Sequence, residues 1–380
     1  MKAVFWLELL RAGWWDFRNA VALCVFAPLR DIILSTSMMK ILFSGLLLLC
    51  SVGAFAQQTS PPPPGRLIDI GGYRLHLNCT GNKGPTVVLI NGAGDFSFDW
   101  SLVQPGISRF ARVCSYDRAG FAWSDPGPTP RTMKQEAFEL HTLLNAAHIK
   151  GPYVLVGHSL GGLVARVYAS QYKQDVAGVM LIDSTHEDTT LMLNGKLAHM
   201  RELASPNAVP PVQTMKSSPP KPVTQEDLGQ FEFNLKLNGG AKISEPFNKL
   251  PATVQAMRVN ALSQPPRAAG SRGSDFLAEE LRDMYAERAK TPYQLGNIPL
   301  VVLLPKFDYG KPPPGIDADE WKRVNEEKRQ QKIEFTKLSH NSKLIVAENS
   351  GHHIQLDEPQ VVIEAVRMIV ESTRRHQKLD

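Results

Sequence analysis

A chain of 380 residues with 43% apolar composition can bury one or two cores of domain size. Its net charge of +5 is small for that length. No Lys/Arg block is long enough to grip nucleic acid, which sets that class of partner aside.

The N-terminal stretch reads as an address rather than a fold. From Met39 the sequence runs MKILFSGLLLLCSVGAFAQQ: one lysine, an apolar run from Ile41 to Ala56, and an Ala54-Phe55-Ala56 exit. This pattern predicts a secretory signal peptide cleaved after Ala56. The apolar run of 16 residues is short for a membrane span, which needs about 20. Translation is expected to begin at Met38 or Met39, which makes residues 1–56 an upstream extension plus signal. The mature protein is then exported, periplasmic or secreted, with no stable membrane span after cleavage. An uncleaved anchor is the alternative, because a second apolar run lies at Ala20–Leu29. Residues 57–65 follow with four consecutive prolines and read as an extended tether.

Regular elements begin at residue 66. Arg66–Ile70 and Arg74–Cys79, separated by Gly71-Gly72, predict a hairpin. Short apolar runs then recur at Val87–Ile90, Val113–Tyr116, Val154–Val156, Val179–Ile182, Leu300–Leu304 and Leu344–Ala347. Continuous hydrophobicity of this kind suits strands of a parallel sheet covered on both faces. Between them, Thr132–Ala147 carries Met133, Ala137, Leu140, Leu144 and Ala147 on one helical face. Alternating strand and helix indicates an α/β fold. Residues 184–298 interrupt the alternation with helical pieces and a proline-rich stretch. An insertion of that length between strands predicts a helical cap over the site, and leaves 66–183 and 299–380 as the core.

The chemistry-bearing residues stand at strand ends. Gly157-His158-Ser159-Leu160-Gly161 follows the run Val154–Val156 and opens a helical pattern to Tyr172, a strand–serine–helix turn that would expose the Ser159 hydroxyl. Asp308 lies just past Leu300–Leu304, and His352 just past Leu344–Ala347. In open α/β sheets the carboxyl ends of the strands are where ligands bind. A serine hydroxyl needs a base to take its proton, an imidazole can accept and return it, and a carboxylate fixes the imidazole's tautomer. Asp183, after Val179–Ile182, is a second candidate for the carboxylate. His353 is a weaker rival to His352, since an extended loop would face it the other way. His158 is expected to pack beside the serine turn, Thr185–Asp188 (THED) to be a polar junction with the insertion, and Asp117 and Arg118 to form a structural ion pair.

Taken together these stretches resemble the α/β-hydrolase family, in particular its capped, esterase-like branch. The resemblance spans about residues 66–372 and rests on VVLINGAGDFSFDW, YDRAGFAWSD, GHSLGG, PLVVLLPKFD and SGHHIQLDEP, in that order. Asn91 stands where the family usually has histidine, and Pro305 where it favours glycine. The resemblance implies an eight-stranded, mostly parallel sheet with helices on both faces and a helical cap inserted after the sixth strand. It also implies a Ser159–His352–Asp308 triad, with Asp183 as the alternative acid. The backbone N–H groups of Ala93 and Leu160 would form the oxyanion hole. In that sheet the second and fourth strands are neighbours, which would bring Cys79 and Cys114 within disulfide range, and an exported protein meets an oxidising compartment. The activity implied is hydrolysis of a small ester-like substrate through an acyl-enzyme, with no cofactor and no metal. The alternatives are another acyl or C–C bond hydrolase on the same triad, or a hydrolase-fold binding protein with little turnover.

Overall fold

The computed structural model describes residues 63–379 except 194–195, 212–221, 238–239, 269–274, 307–311 and 313–314. The expected signal peptide and start sites, most of the tether, and Asp308 lie outside the described residues.

In chain order the strands are β1 (Arg66–Asp69), β2 (Arg74–Thr80), β3 (Thr86–Ile90), β4 (Val113–Tyr116), β5 (Tyr153–His158), β6 (Val176–Ile182), β7 (Thr190–Leu193), β8 (Lys196–His199), β9 (Leu300–Pro305) and β10 (Ser342–Ala347). The helices are α1 (Gln104–Ser108), α2 (Met133–Ala146), α3 (Leu160–Gln171), α4 (Gln225–Leu237), α5 (Ala252–Ser263), α6 (Leu277–Lys290), α7 (Ala318–Ile333), α8 (Ile354–Asp357) and α9 (Pro359–Arg375). Eight strands form one sheet in the order β1-β2-β4-β3-β5-β6-β9-β10. The β1–β2 and β2–β4 pairings are antiparallel, and the remaining pairings of this sheet are parallel.

Strand periodicity divides the interior into two layers. Val88, Ile90, Leu155, Val179, Leu181 and Val302 pack with Leu140 and Leu143 of α2 and Leu163 and Val164 of α3. Their neighbours Val87, Leu89, Val154, Val156, Met180 and Ile182 point the opposite way, onto Ile107 of α1 and Val362, Val366 and Ile369 of α9. Successive residues of a strand serve opposite faces, so a run apolar at every position has both faces covered. Cys79 and Cys114 occupy paired positions of β2 and β4 and are disulfide-bonded.

Helix ends are set by local chemistry. The Thr132 hydroxyl caps α2 by accepting from Gln135 N at 3.0 Å. Pro359 opens α9, where its missing N–H costs nothing.

The insertion between β6 and β9 contains α4, α5 and α6, but it begins with an antiparallel β7–β8 hairpin that the helical expectation did not include. The available signal was Asn194-Gly195 between apolar runs, the dipeptide that tight hairpin turns favour.

Candidate active site

The parallel strands β3, β5, β6, β9 and β10 end on one edge of the sheet, and that shared direction gathers the polar residues. Ser159 follows β5 with φ 52° and ψ −119°, a conformation L-residues rarely adopt. The glycines around it make this turn possible. A Cβ at Gly157 would lie 2.4 Å from Gly161 O, and one at Gly161 would lie 2.3 Å from Ile90 O. Gly162 has the Ser184 hydroxyl in the space a Cβ would take. The Gly-x-Ser-x-Gly spacing is therefore a steric requirement of packing α3 against β3 and β5. Leu160 is the first residue of α3, so its N–H belongs to the turn without intrahelical acceptors. Ala93 lies in the exposed turn after β3.

Ser159 N donates to Ile182 O at 3.0 Å, which places the serine turn beside the end of β6. The next residue, Asp183, also has positive φ (38°) and is 4% exposed. His352 Nδ1 lies 2.6 Å from Asp183 Oδ2, and Lys332 Nζ, from the last turn of α7, lies 2.6 Å from Asp183 Oδ1. Burial would raise this carboxyl's pKa. The hydrogen bond from His352 and the Lys332 charge outweigh it and hold the group well below the usual carboxylate range. The structure thus brings His352 together with Asp183, the alternative weighed from the sequence. Asp308 falls outside the described residues.

A second polar layer lies behind this pair. His158 Nδ1 is 3.1 Å from Asp95 Oδ2, and its Nε2 is 3.0 Å from the backbone carbonyl of His352. His158 therefore does more than pack: it ties the turn after β3, the serine turn and the histidine loop together. His353 turns away from Asp183, edge-on to Phe247 with ring centroids 4.8 Å apart and 3.8 Å from Asp95 Oδ1. Asp95, His158 and His353 offer ligand atoms within 4.8 Å of one another. Arg258 of α5 reaches within 3.8 Å of the same carboxylate, so a cation already serves it, and we read the cluster as a hydrogen-bond network.

Arg258, from the insertion between β6 and β9, reaches the core here. It is buried, ion-paired to Asp99, and lies over the Phe247 ring at 3.4 Å from the centroid. Burial pushes Asp99 up to about 7 despite the guanidinium beside it, and the nearby Asp95 charge adds to the rise. Next to this contact is a cavity of about 350 Å³, lined by Gly94, Phe96 and Phe121 and, from the insertion, by Phe231, Leu235 and Leu262.

Other expected residues fall into structural roles. Asn91 donates to Tyr116 O at 2.8 Å and accepts from the Trp100 indole at 2.7 Å, bracing the turn that bears Ala93. Asp117 and Arg118 do not pair with each other: Asp117 accepts from Ser97 N and meets His76 Nδ1 at 2.9 Å, whereas Arg118 pairs with Glu136 and donates to Gly92 O. Each side chain is taken up by other partners, so the expected pair does not form. The THED segment is a buried junction, in which Glu187 joins Arg166 of α3 at 2.5 Å to Arg288 of α6 at 2.8 Å. Sequence reasoning missed Lys332, Arg258 and Glu280. Glu280 of α6 accepts from Met133 N and Lys134 N at the start of α2. None of the three lies in a recognisable motif.

A sequence profile of the alpha/beta hydrolase family matches residues 87–365. The chain belongs to the alpha/beta hydrolase family. The mostly parallel eight-stranded sheet and the strand–serine–helix turn accord with that membership. An AB hydrolase superfamily protein of Gibberella zeae is 25% identical over 306 residues, covering 77% of this chain and 88% of the relative. A probable transporter, efuK, of Hormonema carpetanum is 37% identical over 131 residues, covering 32% of this chain; the chain spans only 19% of that relative's length. Among solved structures, a putative epoxide hydrolase from Pseudomonas aeruginosa aligns with a TM-score of 0.53 at 14% identity, covering 83% of this chain and 98% of that one, a likeness of fold. No helix among the described residues is long and apolar enough to cross a membrane.

Proposed function

We propose that this hydrolase cleaves a carboxylic ester through an acyl-enzyme, with Ser159 as nucleophile, His352 as base and Asp183 as acid. The observation that carries the reading is the 2.6 Å contact of His352 Nδ1 with the buried Asp183 carboxylate, one residue beyond the strand end that holds Ser159 N. With Nδ1 donating to Asp183, Nε2 keeps a lone pair to accept the Ser159 proton. Attack by Oγ on the ester carbonyl carbon places negative charge on the carbonyl oxygen, which the N–H groups of Leu160 and Ala93 would receive. One such donor contributes about 3–4 kcal/mol of transition-state stabilisation. Collapse expels the alcohol, which takes the proton from His352. Water then attacks the acyl-enzyme with His352 again as base, releasing the acid and restoring Ser159. The reaction consumes only water.

The cavity that begins at Gly94, the residue after the proposed donor Ala93, supports an apolar acyl group, since phenylalanine and leucine side chains make up much of its lining alongside Lys242, Ser244 and Arg258. Export remains part of this reading and rests on the signal-like segment before Gln57. The test is covalent labelling by a fluorophosphonate together with a p-nitrophenyl ester panel of increasing acyl length. Labelling that persists in Ser159→Ala, or a wild-type protein that neither labels nor hydrolyses any ester, overturns it.

A further inference from the structure

A carboxylate that orients a catalytic imidazole needs something to orient it in turn, and here that partner is a cation from outside the sheet. Lys332 sits at the end of α7, with its side chain 13% exposed and its ammonium on the oxygen of Asp183 that His352 does not use. The end of α7 is itself pinned: Gln331 donates to Asp188 O at 2.9 Å and Arg329 donates to Pro305 O at 3.0 Å. The two oxygens of Asp183 are thus divided between an imidazole and an ammonium, and rotation of the carboxylate would break both contacts.

We propose that Lys332 is a positioning residue for the acid–base pair, fixing the Asp183 carboxylate and taking up part of its charge, so that it sets the pH at which the acid limb of the rate profile falls. The proposal rests on the assignment of Asp183 as the acid. Two 2.6 Å contacts on one carboxylate separate the lysine and imidazole charges by roughly 6–7 Å. At that range, with the screening expected beside a half-exposed ring, one charge moves a titration by about one pH unit. The charged and titratable groups around this pair are Lys332 and Lys328 on α7, His158 at the end of β5, His353 on the same loop, and behind them Asp95, Asp99 and Arg258. Lys332 is the one of these in contact with Asp183 opposite His352. A cation there opposes protonation of the imidazole, so its removal is expected to move the acid limb upward.

The experiment is kcat/KM against pH for p-nitrophenyl acetate, from about pH 4 to pH 9, with the wild type, Lys332→Met, Lys332→Gln and Lys332→Arg. Lys332→Met and Lys332→Gln are expected to raise the acid limb by about one pH unit, a tenfold lower rate on the limb, with Lys332→Arg restoring the wild-type profile. Lys332→Gln keeps a donor for Asp183 without the charge and serves if Lys332→Met folds poorly. An acid limb that stays in place or moves downward in the folded variants overturns the proposal, even if the plateau rate drops, since a merely structural lysine would lower the plateau alone. If Asp183→Asn retains the wild-type rate, the acid assignment fails and this proposal fails with it. If Asp183→Asn abolishes activity while the Lys332 limb is unmoved, only this proposal fails.

Discussion

Replacing Asp183 by asparagine keeps the size of the side chain and changes only what its two ends can do. In the wild type, Oδ1 accepts from Lys332 and Oδ2 faces His352 Nδ1, both at 2.6 Å. An asparagine must put its oxygen on one and its amide nitrogen on the other. Lys332 is a donor only, so the oxygen goes to the lysine and the NH₂ turns toward His352. Facing a donor, Nδ1 becomes the acceptor and the proton moves to Nε2, the nitrogen that has to receive the Ser159 proton. The lysine therefore locks the asparagine in the orientation that selects the wrong tautomer. Loss of tautomer and of imidazolium stabilisation together lower kcat by about four powers of ten in such triads, or about 5.5 kcal/mol of barrier. The assay is initial-rate hydrolysis of p-nitrophenyl esters, with circular dichroism to confirm folding. Adding Lys332→Met to Asp183→Asn frees the amide to flip and is expected to restore part of the rate. A fall of less than about tenfold in Asp183→Asn, or a greater fall in Asp308→Asn, refutes the reasoning.

Ser159→Ala is expected to abolish fluorophosphonate labelling and leave less than about a hundredth of the ester hydrolysis, with the near-UV spectrum unchanged, because loss of a triad nucleophile costs many powers of ten. Cys79→Ser should lower stability by about 3–4 kcal/mol in urea unfolding, the chain-entropy value for a crosslink across a sequence separation of 35. Correspondingly, neither thiol of the wild type should alkylate in denaturant before reduction. Glu187 tests the buried junction between α3 and α6. Burial would raise its pKa, but Arg166 above all, with His186 and Arg288, brings it down to about 2 from 4.5. A folded-state pKa below the unfolded one stabilises above about pH 4.5, and that stability is lost as pH falls toward about 2. Differential scanning calorimetry should show Tm falling steeply over that window, and Glu187→Gln should give a lower Tm at pH 7 with a flatter acid slope. An equally steep slope in the variant would remove Glu187 as its source.

Much of the frame was legible in the residue order because it depends on local sterics and periodicity. The hairpin at Gly71-Gly72, the apolar runs and the capped helix at Thr132 all obey rules that act over a few residues. The same holds for Ser159. A serine forced to φ 52° between a strand and a helix needs small residues two before and two after it, and Gly157 and Gly161 supply them. His352 was legible for a weaker reason, its place after the last strand of a recognisable loop. Asp117 and Arg118 show the limit: adjacency in sequence suggested a pair, yet Asp117 meets His76 and Arg118 meets Glu136 instead.

The sequence by itself determined that a serine turn and a histidine loop would meet at the carboxyl edge of a parallel sheet, because strand direction and the Gly-x-Ser-x-Gly turn admit few other arrangements. It offered two carboxylates for the histidine, each just past a strand, and the family resemblance favoured Asp308 over Asp183. Only the tertiary structure put Asp183 on His352. The strands β6, β9 and β10 lie side by side, so the imidazole must reach across the end of β9, and the positive φ of Asp183 belongs to the turn that meets it there. Lys332, 149 residues further along, and Arg258, 159 residues from Asp99, join the site only because helices far apart in sequence pack against one edge. Long-range ion pairs of that kind leave no periodicity and no spacing to read.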